Sequence, residues 1–217
     1  MPVEENDRGT FLFNSKDLCM IEHIPELMEA GIDSFKVEGR MKSALYVASV
    51  GRTYRMAIDD YLKDPQLYRD RLDFYRAEIS KCTYREYTTG FFFGKPDKSA
   101  QIYDASTYVK DWTYLGMADG EQTYTDEEGR VYYQLEQKNK FCTGDRIEVM
   151  KPDGRNLEVS VLDMLDEDLR PISSCPHPRQ RFYIYVGETL ESFDILRARR
   201  EGPEGTDTEE RRTPEGK

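Results

Sequence analysis

Residues 14–59, NSKDLCMIEHIPELMEAGIDSFKVEGRMKSALYVASVGRTYRMAID, decide the fold, because here charged side chains interrupt an otherwise apolar alternation of strand and helix patterns. Gly9–Phe13 (GTFLF) is a short apolar run, and Ile32–Val37 repeats that character after Gly31, so both read as strands. Between them Leu18, Ile21, Ile24, Leu27 and Met28 follow a helical spacing, with Ser15 as the expected N-cap and Gly31 as the stop. Pro25 suits the first turn of a second helical piece. A longer helix is expected from about Ser43, with Val47, Val50, Tyr54, Ile58 and Tyr61 on one face.

Strand, helix, strand, helix is the order of a parallel sheet with helical crossovers, and such sheets place ligands beyond the C-terminal ends of their strands. Two polar clusters fall there. One is Asn14, Ser15, Lys16 and Asp17, with Cys19 just beyond; the other is Glu38, Gly39 and Arg40, with Lys42. Side chains alternate along a strand, so Lys36 and Glu38 share one face and Phe35 and Val37 the other. In a closed barrel that alternation turns the lysine and glutamate into the lumen, where a charged pair is costly without a use. The alternative is a pair on a sheet edge with Arg40 solvated beside it.

The run SKDLC, the phrase EAGIDSFKVEGRMKS, the pair Tyr54-Arg55 followed by Ala57-Ile58-Asp59, and the later Tyr87-Thr88-Thr89-Gly90-Phe91 stand in an order that resembles the peptidase U32 family, also called collagenase-like peptidases. The resemblance runs from about Pro2 to about Arg199. It implies an α/β plus β architecture, a partial TIM-like barrel followed by a small C-terminal β-barrel, and a similarity to RNA hydroxylases that make 5-hydroxyuridine at the tRNA wobble position. On that basis Lys36, Glu38 and Arg40 are the candidate catalytic residues. Asn14, Ser15, Lys16, Asp17, Lys42, Tyr54 and Arg55 are the candidate substrate-binding set. Some relatives ligate an iron–sulfur cluster, and Cys19 resembles its fourth ligand. The three upstream cysteines are not in this sequence, and one thiolate does not hold a cluster, so this chain alone is expected to hold none stably.

A full eight-fold barrel takes about 250 residues, and two strand-helix units precede the C-terminal region here, so residues 1–80 are expected to be the last units of a barrel. Met1 then reads as an internal methionine or a truncated start. Residues 81–100 form an aromatic linker with Tyr84, Arg85, Tyr87 and Phe91–Phe93, whose rings either stack bases or pack on the barrel. Residues 101–200 turn all-β, with strands expected at Tyr103–Val109, Thr113–Ala118, Val131–Gln137, Asp145–Met150, Leu157–Leu165 and Arg181–Val186. Turns are expected at Asp119-Gly120, Glu128-Gly129 and Pro152-Asp153-Gly154. Residues 201–217, without an apolar side chain, read as a disordered tail.

With 31 basic and 42 acidic residues the net charge is −11, which excludes a generally basic nucleic-acid surface but leaves room for a local one. No apolar run is long enough to span a membrane and no signal-peptide pattern opens the chain, so the expected location is the cytoplasm. Cys19, Cys82, Cys142 and Cys175 make no CxxC pair, which argues against a zinc ribbon or a disulfide framework. Cys175 and His177 are two ligands short of a metal site. Three functions stay open: part of a tRNA hydroxylase, with RNA as partner and neither DNA nor membrane; a peptidase acting on peptide; and a binding or structural module without activity. A peptidase would need an activated nucleophile, a metal or a water-activating carboxylate pair, whereas Glu38 beside two cations reads as a salt-bridge partner.

Overall fold

The computed structural model describes residues 15–103 and 108–200, together with the backbone of residues 4–6 and 9–11. Near the N-terminus β1 (Glu4–Asn6) and β2 (Gly9–Phe11) pair antiparallel. The expected strand at Gly9–Phe13 is thus present over its first residues, but its partner is its own neighbour and not Ile32–Val37. Residues 12–14, including Asn14, lie outside the described residues.

Ser15 does not cap a helix, a correction to the reading above. The backbone there is extended: Asp17 N–H donates to Glu86 O and Cys19 N–H to Thr88 O, each at 2.9 Å. These bonds build a short parallel pair between β3 (Asp17–Leu18) and β4 (Tyr87–Thr88). The aromatic linker therefore supplies a strand, and the helical spacing of Leu18 is incidental; its side chain is exposed. Helix begins only after a 3₁₀ turn at Ile21–His23, as α1 (Ile24–Glu29) with Pro25 in its first turn. Gly31 follows at φ +77°, a left-handed residue closing the helix as expected.

Ile32–Val37 is the second correction. It has no ladder partner among the described residues, and only Phe35 is half-buried. A period-two pattern gives a segment the capacity to be a strand, but the hydrogen bonds must come from a neighbour.

Ser43 starts the longest helix, α2 (Ala44–Lys63), with its Oγ accepting from Tyr46 N–H at 3.3 Å. One face packs Val50, Tyr54, Ala57, Ile58 and Tyr61 against α1 and against α3 (Pro65–Asp70) and α4 (Leu72–Ile79). Val47, expected on that face, is exposed. The helix expected over Gln66–Ile79 is interrupted at Arg71, whose guanidinium pairs with Asp60. A second face of α2, with Leu45 and Ser49, meets the C-terminal sheet at Met150 and Ile195.

That sheet has seven antiparallel strands: β5 (Trp112–Thr125), β6 (Val131–Gln137), β7 (Arg146–Met150), β8 (Asn156–Ser160), β9 (Asp163–Leu165), β10 (Arg181–Tyr185) and β11 (Ile195–Arg199). Their order is β8-β7-β11-β5-β6-β10-β9. The two outermost strands, β8 and β9, are consecutive in the chain. Three residue steps span at most about 11 Å, whereas the edges of a flat seven-stranded sheet would lie on the order of 30 Å apart. The sheet must therefore curl, and it closes around Leu115, Leu135, Val149, Met164, Phe182, Ile184 and Leu196.

Here the expected strands at Val131–Gln137, Asp145–Met150 and Arg181–Val186 stand within a residue. Leu157–Leu165 is two strands, split at Val161-Leu162 where the chain passes from one edge to the other. Of Tyr103–Val109, residues 104–107 lie outside the described residues, and Val109 makes only an isolated bridge to Tyr84. Asp119-Gly120 is no hairpin turn but a bulge inside β5, where Gly120 has φ +78° and a Cβ would stand 2.2 Å from Ser192 N. The strand missed altogether is β11, in the middle of the sheet. The tail beyond Arg200 lies outside the described residues.

β11 also delivers the residue that joins the two regions. Arg197, fully buried, pairs with Glu78 of α4 at 2.7 Å through Nη2 and with Glu148 of β7 at 2.7 Å through Nε. Lys81 bridges the same two carboxylates, at 2.8 and 2.7 Å. Arg52 of α2 adds 2.5 Å to Glu78 and donates to Lys151 O, while Asn156 Nδ2 completes Glu78. Burial alone would raise the Glu78 carboxyl, but Arg197 and Lys81 outweigh it and hold it below the usual carboxylate range.

Candidate functional site

A cavity of about 530 Å³ opens in the helical region. Its floor is apolar, from Leu27, Val50, Ile79 and Phe35; its polar groups include Asp17, Cys19, Lys36, Glu38, Lys42, Tyr46 and Tyr54. Two stretches of the decisive segment therefore meet at this cavity: the SKDLC run brings Asp17 and Cys19, and the KVEGRMK run brings Lys36, Glu38 and Lys42.

Asp17 is the organising carboxylate. Its Oδ2 takes Lys42 Nζ at 3.3 Å and Arg85 N–H at 2.9 Å, fixing the aromatic linker to the loop before α2. Lys42 Nζ lies 4.9 Å from the Tyr46 ring and 5.1 Å from the Tyr108 ring, and Arg85 lies 5.0 Å from Tyr108. Burial pushes the Tyr46 hydroxyl up to about 12, with the charge of Asp17 acting in the same direction. Tyr54 sits about two helical turns further along α2. Its hydroxyl accepts from Met20 N–H at 2.8 Å and donates to Cys19 Sγ at 3.8 Å. Burial raises the Cys19 thiol more than that donation lowers it, so Cys19 is a neutral thiol at ordinary pH.

The remaining candidates are placed differently. Lys36 and Glu38 are exposed at the mouth of the cavity and make no ion pair with each other or with Arg40; Glu38 Oε1 accepts from Arg40 N–H at 3.1 Å, closing a local turn. Arg40 does not line the cavity. Ser15 is exposed and bridges Gln101, and Lys16 pairs with Glu86 at 2.9 Å. Arg55 is on the outer face of α2, where its Nε meets Asp59 at 2.9 Å. Sequence reasoning missed Arg85 and Tyr46 as partners of this site. An available signal was the basic-aromatic composition of the linker.

Cys19 is the one cysteine lining the cavity, and the described residues contain no group of three or more His, Cys, Asp or Glu able to hold a metal ion. A single thiol bonded to a phenol is not a cluster-binding set, so the residues present do not make an iron–sulfur site. Cys82 and Cys175 are fully buried, the first between α2 and the sheet and the second in the sheet core, and Cys142 is half-buried.

Comparison with known proteins gives matches along most of the chain. Residues 2–102 match the family described as Peptidase family U32, and residues 111–197 match the Peptidase family U32 C-terminal domain. The chain is 35% identical over 187 residues to tRNA hydroxylation protein P1 of Bacillus subtilis, covering 86% of this chain and 43% of that protein. It is 50% identical over 91 residues to an uncharacterized protease of Methanocaldococcus jannaschii, covering 42% of this chain and 22% of that one. The chain thus spans less than half the length of these relatives. Among solved structures, the C-terminal domain of a U32 peptidase from Geobacillus thermoleovorans aligns at 24% identity and TM-score 0.34, over 40% of this chain and 99% of the domain. Within the described residues, no helix is long and apolar enough to cross a membrane.

Proposed function

The chain belongs to peptidase family U32, and from that premise we propose that it is part of a tRNA-hydroxylating protein acting on the wobble uridine. The observation that carries this reading is the 35% identity over 86% of the chain to a tRNA hydroxylation protein. The cavity is consistent with it: an apolar floor for a flat ring, and Lys42, held by Asp17 at 3.3 Å, to meet an anionic group. In this reading residues 15–80 belong to a TIM-like barrel, in which Ile32–Val37 gains the neighbours that turn it into a strand and draws Lys36 and Glu38 into the lumen, with Arg40 at its rim. Cys19 would then meet further thiols from outside this chain.

Proteolysis is the second reading, favoured by the match to an uncharacterized protease over 42% of the chain. The described site supports it less. Cys19 is held protonated, and His23, bonded to Glu26 at 3.2 Å, is not among the cavity residues.

The test is mass spectrometry of tRNA nucleosides from a strain lacking its own U32 tRNA hydroxylation protein, complemented with a full-length relative carrying the same KVEGRMK segment. Lys42→Gln and Arg40→Lys are expected to lower wobble 5-hydroxyuridine by tenfold or more while thermal melts stay unchanged. Full hydroxylation in both variants, or peptide cleavage by the purified protein without hydroxylation, would reject the proposal.

A further inference from the structure

The outer face of the C-terminal sheet carries a second feature, away from the cavity. Arg146 on β7 pairs across to Ser160 on β8, and Arg199 on β11 pairs across to Trp112 on β5. Between them β7 and β11 run antiparallel with Glu148 opposite Arg197. Continuing that register by two residues sets Arg199 beside Arg146. Side chains two apart share a face, and Arg197 and Glu148 meet each other and Glu78 on the outside. The row across that face therefore reads Ser160, Arg146, Arg199, Trp112: a hydroxyl, two guanidiniums and an indole.

Like charges directly opposite on neighbouring strands destabilise a sheet. In the next row Arg197 and Glu148 are answered, Arg197 and Lys81 meeting Glu148 and Glu78, which leaves Glu158 at the edge. Arg146 and Arg199 have no hydrogen-bonded or ion-paired side-chain partner among the described residues. Both are exposed and line one groove of about 570 Å³ with Trp112, Lys81 and the carboxylates Glu148 and Glu158. Lys81 and Glu148 are engaged in the seam, so the open part of the groove holds two cations against Glu158 alone. This is a local excess of positive charge on a chain of net charge −11. The fork of a guanidinium matches a phosphate in two contacts, and two side by side with a hydroxyl form a phosphate-sized recess.

We propose that Arg146 and Arg199, flanked by Ser160 and Trp112, bind a backbone phosphodiester of RNA. This is a positioning contact of the sheet region that rests on the tRNA reading above but lies outside its cavity. Most protein contacts to nucleic-acid backbones come from such side chains and set register without reading sequence.

Trp112 is the only tryptophan of the chain, so its emission reports this groove alone. The experiment titrates the whole chain with an eight-nucleotide oligouridylate end-labelled with a dye, following anisotropy and indole emission together at several salt concentrations. Binding is expected to change Trp112 emission in step with anisotropy. Each phosphate neutralised on single-stranded RNA contributes about 0.7 to the slope of log affinity against log salt. Arg146→Gln with Arg199→Gln removes that one phosphate contact and should therefore lower the slope by about 0.7 and weaken binding roughly tenfold at low salt. Arg146→Lys with Arg199→Lys should keep most of the slope.

RNA binding with silent indole emission, or an unchanged slope in the glutamine pair, overturns the assignment. So does an emission change with inorganic phosphate but none with RNA. The assay needs no hydroxylation: if tRNA in cells proves not to depend on this family member, the proposed function falls while the groove is still decided here.

Discussion

Residues 15–100 and residues 111–200 solve the same problem differently. The C-terminal sheet curls until its own two edge strands are sequence neighbours, and fifteen buried residues fill one core. The helical region gathers a smaller buried cluster and leaves Leu18, Ile32, Val37, Met41, Val47, Leu62 and Phe91–Phe93 exposed, nine of the fourteen large apolar side chains exposed among the described residues. Among the described residues, most of the exposed large apolar side chains thus belong to the region that holds the cavity. The sheet satisfies itself, whereas the helices draw part of their order from the sheet through α2, α4 and the Arg197 cluster. Apolar area of this kind marks a surface built to be covered.

The strongest way to break that contrast is to cut the joint. Arg197→Ala leaves Glu78 and Glu148 buried with fewer cations, and removing one partner of such a network costs about 3–5 kcal/mol. Thermal unfolding followed by far-UV circular dichroism should show the helical region melting first and the sheet later. A single transition close to the parent's would mean that the sheet does not support the helices.

Acid should loosen the same joint. Glu78 is held below its ordinary range in the folded chain. Its contribution is therefore fully present above the unfolded-state carboxylate pKa and lost as pH falls through the lower folded value. Urea midpoints at pH 7 and near pH 4 should fall for the parent, and fall less for Glu78→Gln, which is already weakened at neutral pH. An equal acid response in both proteins would assign the effect to other carboxylates.

The exposed face predicts a smaller change, in association and not in stability. Replacing Phe91, Phe92 and Phe93 by serine should move size-exclusion elution toward the monomer at high concentration, with the melting temperature within about 2 °C because exposed side chains contribute little to folding. A parent already monomeric at all concentrations would show that this face needs no cover. Least of all should come from Arg55→Ala, which removes an exposed pair with Asp59. Such pairs are worth about 0.5 kcal/mol or less, and a larger loss would mean that Arg55 touches more than its neighbour.

Much of this was legible locally. Ser43 ahead of a long amphipathic run, Pro25 in a first turn, Gly31 after a helix and Gly129 and Gly154 at φ +80° and +96° all act through their own backbone, so sequence suffices. The segments misread take their state from partners far along the chain. Asp17-Leu18 is a strand because Tyr87-Thr88 lies beside it, and Ile32–Val37 is not one because no strand among the described residues pairs with it. β11 hid because ILRAR runs into a charged tail, and nothing local marks Arg197 as a fully buried cation. For the site, Asp17, Cys19, Lys36, Glu38, Lys42 and Tyr54 were named in advance and do converge, while Arg40, Ser15, Lys16 and Arg55 face elsewhere. A motif records which residues stand near one another in the chain; the side each one takes is set by packing.

The two fully buried thiols give the chain a pair of internal clocks. Cys82 lies in the seam with Leu45, Met150 and Ile195, and Cys175 lies within the sheet core. Burial pushes Cys82 up to about 12, so it reacts with an alkylating reagent only when the seam parts and water reaches it. Cys175 must wait for the sheet itself to open. The two labelling rates, read on one molecule under native conditions, would give the opening frequency of the joint separately from that of the sheet. Ligand capture in the cavity or the groove would register as a slowing of one clock, the other, or both.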